Sequence, residues 1–361
     1  MRCLTLATAL AEQGTNVTFT CRDHAGNLIE HIQQVGFSVH VLPALSNIEL
    51  PKQSDNIFRP LAHSHWLGCS QQQDAQDCKP ILEKLKPDWL IVDHYALDKT
   101  WQHALKTYYK KLLVIDDLAD REHIADILLD QNYGSTTEKY QGLVPGHCKT
   151  LAGTHFSLLR PEFALWRSHS LKRRQAPSSI THILVNLGGV DVHNYTGKIL
   201  HQLAKIPFAP QITITVIMGP TAPHLAAVSQ QAADMAITTH VKSNVSNMAE
   251  IMAGSDLAIG AAGATTWERC CLGLPTIQMV IADNQQFAAT ALAAIGAAPS
   301  VTVADMSATL PKLIQRMINE PRFSQHTSLQ TRRLVDGNGT QRVVDALLRK
   351  VIAPPTMSKS L

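Results

Sequence analysis

The chain has 361 residues, 45% of them hydrophobic and 17% charged, and a formal net charge of +3. That length suits two hydrophobic cores, the composition excludes a disordered chain, and so small a charge argues against nucleic acid or an anionic membrane as a partner. The seven cysteines form no C-x-x-C pair and no zinc-type spacing, and no apolar run nears the roughly 18 residues of a membrane span; a reducing cytoplasm is the expected setting.

In chain order, residues 1–13 read as a helix with no capping residue ahead of it. Arg2, an apolar run and "ALA" before Glu12 also fit a secretion signal, but Gly14 stops the helix and "NVTFT" then alternates as a strand, which is the inside of an α/β repeat. Helix "AGNLIEHIQQVG" and strand "FSVHVL" follow, then a Pro-containing loop over 43–60. Helix "QDCKPILEKL", strand "DWLIVD", helix "LDKTWQHALKTY" and strands "KLLVIDD" and "DILLDQN" continue the alternation, the pattern of a parallel sheet covered on both faces. "RSHSLKRRQAPSS" (167–179) is basic and aperiodic, so a solvated linker is expected between a first domain, 1–166, and a second, 180–350.

The second half repeats the design. Strands "HILVNLGG", "ITITVIMG", "AITTHV", "DLAIG" and "PTIQMV" alternate with helices at 194–205, 221–232, "VSNMAEIMAG", "GATTWERCCLG" and "NQQFAATALAAIG". Three helical segments close the chain, and the tail 351–361 reads as disordered. The expected fold is α/β, with two doubly wound Rossmann-like domains facing a cleft and ligands beyond the strand carboxyl ends.

The strongest motif is "SDLAIGAAGATTWERCCLGLPTI" (255–277). An apolar strand runs through Gly260, Ala261, Ala262 and Gly263 straight into a helix, where small residues and free amides suit a pyrophosphate. It is neither G-x-G-x-x-G nor a P-loop. Glu268, one turn into the helix, can accept from a sugar hydroxyl pair; its bland alternative is a solvated glutamate beside a tight helix–sheet contact.

Together with "VSNMAEIMAG" and "ADNQ" (282–285), this stretch resembles the nucleotide-binding half of the GT-B fold. The likeness is to the UDP-sugar hydrolases of pseudaminic acid biosynthesis, with the N-acetylglucosaminyl transferase of peptidoglycan synthesis more distant. "LIVDHYALD", "VIDDLADR", "DILLDQN", "FSLLRPEF" and "ILVNLGGVD" resemble the same hydrolases, so the likeness spans nearly all of 1–350. The resemblance implies UDP contacts from Val245 and Met248 (uracil), Gly263, Ala264 and Thr265 (diphosphate), Glu268 (ribose) and Gln285. It implies sugar contacts from Asp93, Tyr95 and Asn284, no cofactor and no metal. The implied reaction is hydrolysis, at C1, of a UDP-linked 2,4-diacetamido-2,4,6-trideoxy-hexose by a monomer that needs neither nucleic acid nor membrane. A UDP-sugar glycosyltransferase and a nucleotide-sugar-binding remnant are the alternatives.

Other polar groups have structural alternatives. Asp93 could cap the next helix while Tyr95 merely packs, and Asp116 and Asp117 end a strand. Asp120 and Arg121 read as a local ion pair. His63 and His65 in "HSHW" lack further ligands at metal spacing and read as a surface or substrate-lid loop. The resemblance also implies a strand and a G-x-G-H loop ahead of Met1, carrying the general-base His. No catalytic residue is therefore assignable within the chain, His24 does not substitute on spacing, and without that strand the first half is expected to fold poorly.

Overall fold

Runs such as "ILLD" and "LAIGA" leave no face for water, and the computed structural model, which describes residues 1–44 and 61–348, buries them on both sides in parallel sheets. The chain divides into two units, Met1–Leu158 joined by the segment from Thr340, and Leu159–Gly339.

The first unit contains α1 (Arg2–Ala11), β1 (Thr18–Arg22), α2 (Ile29–Gln34), β2 (Ser38–Leu42), α3 (Gln71–Leu85), β3 (Trp89–Val92), α4 (Lys99–Ala104), β4 (Lys111–Ile115), β5 (Ile127–Asp130) and β6 (Lys149–Ala152). Ser70 caps α3 by accepting from the amide of Gln73, and Asp98 caps α4 by accepting from that of Thr100. Two sheets form here: β1 pairs with β2, and β3-β4-β5-β6 make a separate four-stranded sheet, all parallel. Among the described residues no strand joins β1 to β3. Leu6 and Leu10 of α1 nonetheless pack into one core with Leu113, Ile115, Ile127 and Leu129.

The second unit continues with α5 (Pro161–Arg173), β7 (His182–Asn186), α6 (Tyr195–Leu203), β8 (Thr213–Met218), α7 (Leu225–Ala233), β9 (Thr239–Ser243), α8 (Met248–Gly254), β10 (Leu257–Ala261), α9 (Thr265–Cys271), β11 (Thr276–Val280), α10 (Gln286–Ala294), β12 (Ser300–Thr302), α11 (Met306–Asn319) and α12 (Pro321–Thr331). Its parallel sheet has the order β12-β11-β10-β7-β8-β9, so the strand order reverses between β7 and β10. Ligands of open α/β sheets sit at such a switch point, beyond the carboxyl ends. The last helix, α13 (Gly339–Leu347), returns to the first unit, where Val343, Val344 and Leu347 pack beside Leu6 and Leu10.

The expected linker is corrected by the structure. Residues 167–173 belong to α5, and the division of the chain falls before that helix. Three arginines of the basic cluster reach carbonyls of neighbouring helices. Arg167 donates to the carbonyls of Cys271 and Arg332, and Arg173 to those of Ala253 and Ser255. Buried Arg174 donates to the carbonyls of Met252 and Ser255. These oxygens lie at the carboxyl ends of α8, α9 and α12, where a cation meets both unpaired acceptors and the negative end of the helix dipole. The Pro-containing loop lies almost wholly in 45–60, and the tail in 349–361; both are outside the described residues. Two short strands, β6 and β12, were not legible from the sequence.

Candidate functional site

The second unit's candidate site lies at the carboxyl end of β10. There the chain turns through Ala262, Gly263 and Ala264 into α9. The turn is held from beneath by Arg269, which is 1% exposed. Its Nη2 donates to the Ala261 carbonyl at 2.7 Å and to Thr266 Oγ1 at 3.0 Å, and its Nη1 to Thr265 Oγ1 at 3.0 Å. Burial brings its pKa down to about 10. Gly260 is required for this reason: a Cβ there would overlap the Arg269 guanidinium. The smallness expected to admit a ligand at Gly260 thus admits an arginine of the same motif.

Glu268 is not the solvated residue of the bland reading. Its side chain is 18% exposed, and its ionic neighbour is Arg160 at 3.8 Å, which also pairs with Glu162 at 3.0 Å. Burial pushes its carboxyl up to about 7, against the lowering effect of Arg160. A half-buried carboxylate whose one ionic neighbour is 3.8 Å away, beyond a strand end, is the kind of group found at functional sites. Gln285 lies against this turn, its Nε2 3.6 Å from where a Cβ on Gly263 would stand. Its Oε1 accepts from the amide of Ile281, which leaves the Nε2 donor on the side of Gly263.

The first unit carries a second polar cluster at the carboxyl ends of β3, β4 and β5. Tyr95 donates its hydroxyl to Asp117 Oδ1 at 2.6 Å, and Asn132 donates to the other oxygen at 3.1 Å. Burial raises the Asp117 carboxyl above its usual range, although the Tyr95 bond pulls it down. Behind it, Asp130 accepts from Ser135, Lys139 and Tyr140. Arg121 pairs with Asp120 at 2.7 Å, as expected, and also with fully buried Asp116 at 2.8 Å. His63, Trp66 and Tyr95 form a ring cluster, with centroids 4.5 Å apart for His63–Trp66, 5.3 Å for His63–Tyr95 and 5.8 Å for Trp66–Tyr95.

Asp93 is bound by the start of α1. Its carboxylate is held by Arg2, with Nε to Oδ2 at 2.9 Å and Nη2 to Oδ1 at 2.6 Å, and by the Cys3 thiol at 3.2 Å. Burial would raise its pKa, and the Arg2 bonds reverse that to a net lowering. It is not a helix cap, since Asp98 caps α4. His24 is structural: its Nε2 meets the Leu67 carbonyl at 3.2 Å, and its ring lies against Gly68. His94 accepts the Ala96 amide on Nδ1, which places its proton on Nε2, and burial lowers its pKa. Among the described residues no group of three or more His, Cys, Asp or Glu is arranged to hold a metal, and no helix is long and apolar enough to cross a membrane.

The profile of the glycosyltransferase family 28 C-terminal domain matches residues 185–342. Over 297 residues the chain is 25% identical to the spore coat polysaccharide biosynthesis protein SpsG of Bacillus subtilis, covering 80% of this chain and 84% of that protein. Over 288 residues it is 24% identical to the UDP-2,4-diacetamido-2,4,6-trideoxy-beta-L-altropyranose hydrolase of Campylobacter jejuni, covering 80% and 89%. An uncharacterized Methanocaldococcus jannaschii protein is 27% identical over 233 residues, and there the chain spans 47% of the relative's length. Among solved structures, Acinetobacter baumannii MurG superposes with a TM-score of 0.67 at 17% identity, covering 96% of this chain and 95% of that one. The UDP-GlcNAc 2-epimerase of Neisseria meningitidis gives 0.58 at 13% identity, covering 92% and 99%.

The chain has the GT-B fold. Within each GT-B unit the expected residues fall on the carboxyl edge of a sheet, but not all of them meet. Gly263, Glu268 and Gln285 belong to one neighbourhood in the second unit; Tyr95 meets Asp117 in the first. Val245 and Met248 lie half-buried at the β9–α8 connection, with β7 and β8 between β9 and β10, and on the same edge. Asn284 is exposed in a 3-10 turn, Asp283–Gln285. Sequence reasoning missed Arg160, Arg269, Trp66 and Asn132. Asn132 had a signal: it follows the strand "ILLD" by two residues, at the edge where ligands bind.

Proposed function

We propose that the protein is a UDP-sugar hydrolase that releases UDP from a UDP-linked 2,4-diacetamido-2,4,6-trideoxy-hexose. The observation that carries the reading is Glu268, a carboxylate kept largely from water beside the turn at Gly263 with only a distant arginine for company. Ribose hydroxyls would supply the hydrogen bonds it lacks. The 24% identity to the Campylobacter jejuni hydrolase over 80% of the chain supports the choice of reaction.

In this reading the second unit holds UDP. Amides of Gly263, Ala264 and Thr265 receive the diphosphate, Glu268 the ribose, and the β9–α8 connection at Val245 and Met248 the uracil. Gln285 offers its amide nitrogen beside the phosphates, and exposed Asn284 is free to meet the sugar. Arg269 keeps the turn in shape before ligand arrives, so no reorganisation is needed as charge builds on the leaving group. The first unit contributes Tyr95 and Asp117 to the sugar. Water attacks C1, the bond from C1 to the β-phosphate oxygen breaks, its electron pair leaves with UDP, and the water surrenders a proton. No described residue is assigned as the base.

Incubation of the purified chain with the UDP-diacetamido sugar in 18O-labelled water tests the reading. Hydrolysis at C1 puts the label on the sugar and leaves UDP unlabelled. Likeness to the family 28 profile and to MurG supports glycosyl transfer as the second reading. UDP release that requires an added acceptor would establish transfer and refute hydrolysis.

A further inference from the structure

Trp66 is 47% exposed, yet it is not a stray surface ring. It belongs to the short 3-10 turn Ser64–Leu67, whose next residue, Gly68, takes a left-handed φ of 72°. Leu67 and Cys69 on either side of Gly68 are buried in the core with Val92 and Leu97, which fixes the turn to the end of β3. The His63 ring packs on Trp66 at 4.5 Å and on Tyr95 at 5.3 Å, so three rings share one patch at the carboxyl edge. The Arg121 guanidinium lies over the Tyr95 ring, 5.8 Å from its centre. From the same tyrosine, the hydroxyl leads to Asp117, and Asp117 leads to Asn132. Tyr95 therefore links an exposed indole on one side to a carboxylate on the other, and that carboxylate holds an amide on its second oxygen.

That combination fits one kind of ligand. An aromatic face attracts C–H groups that carry slight positive charge, and it removes methyl groups from water. A carboxylate and a carboxamide next to it accept from and donate to hydroxyl and N–H groups. An anionic sugar would be repelled by Asp117. A fully hydroxylated one would waste the indole. A neutral pyranose bearing a deoxy methyl and N-acetyl methyls satisfies both parts.

We propose that Trp66, backed by His63 and Tyr95, is the platform on which the methyl-bearing face of a deoxy, N-acetylated pyranose stacks, and that it selects such sugars. The identity of the sugar rests on the hydrolase reading above; the existence of the platform does not.

The test uses the full chain and a methyl glycoside of 2,4-diacetamido-2,4,6-trideoxy-hexose, which carries no nucleotide. Saturation-transfer NMR should show magnetisation passing from the wild-type protein to the acetamido and C6 methyl protons. Trp66→Ala should reduce that transfer about tenfold, and Trp66→Phe should retain most of it. Because Trp66 is half-exposed, the alanine variant should melt as the wild type does, and circular dichroism checks this. Equal transfer in wild type and a folded Trp66→Ala, or no transfer in the wild type, would overturn the platform. Tryptophan-dependent transfer without any UDP release in the turnover assay would uphold the platform and overturn only the hydrolase reading.

Discussion

Arg269 Nη2 donates to the carbonyl of Ala261 at 2.7 Å, so the guanidinium of a helix residue holds the turn from which that helix springs. Its Nη1 and Nη2 also reach Thr265 and Thr266. Arg269→Met would leave these three acceptors without their donor in a buried setting. We expect a loss of about 2–4 kcal/mol in urea unfolding, with weakened UDP binding. Gly260→Ala should act in the same direction by about 1–3 kcal/mol, because the added methyl displaces the same guanidinium. A Gly260→Ala protein as stable as the wild type would show that Arg269 can leave its place freely.

Glu268 makes stability depend on pH. Its carboxyl titrates near 4.5 in the unfolded chain and near 7 when folded, because burial disfavours the charged form. Between those values the folded state binds more protons, so this residue lowers stability as pH rises from about 4.5 to about 7. Glu268→Gln should remove that loss and be more stable than the wild type at pH 8, by about 1–3 kcal/mol. Denaturant melts at pH 5 and pH 8 check the sign; the two proteins should differ less at pH 5.

Tyr95→Phe removes one of the two side-chain hydrogen bonds that the Asp117 carboxyl accepts. Burial already raises that carboxyl, so the variant should raise it further. The acid limb of a kcat–pH profile should move to higher pH, while UDP affinity stays within about twofold, the change expected for a residue that does not touch nucleotide. Equal losses in turnover and UDP affinity would place Tyr95 in the scaffold alone.

Arg174 is a stability residue. Burial lowers its pKa to about 10, yet its bonds to carbonyls at the end of α8 hold it there. Arg174→Met should cost about 2–4 kcal/mol in thermal or urea unfolding and leave UDP affinity unchanged. A neutral effect would mean that water can cap α8 instead.

The strands were legible because parallel strands covered on both faces demand unbroken apolar runs, and "KLLVI", "ILLD" and "TIQMV" are such runs. Helix α5 was not. Its apolar stripe is thin: Phe163 is buried, but Leu165 is 79% exposed. Its arginines are spent on the carbonyls of other helices, a use that looks from the sequence like a solvated charge run. The turn at Gly263 and the position of Glu268 in the helix after it could be anticipated, since small residues before a helix and a carboxylate one turn later are local patterns. The capture of Asp93 by Arg2 and the meeting of the Trp66 and Tyr95 rings could not. Both join residues far apart in the chain, and pairings of that kind leave no mark on either segment alone.

The central claim is that Glu268 and the turn at Gly263 bind UDP. Isothermal titration of UDP into the wild type and Glu268→Gln at pH 8 addresses it most directly, since the carboxylate is then ionised. The account predicts saturable one-to-one binding by the wild type and a loss of about 1.5–3 kcal/mol in the variant, roughly 10–150-fold in affinity. No heat from the wild type, or equal affinity in the two proteins, would contradict it.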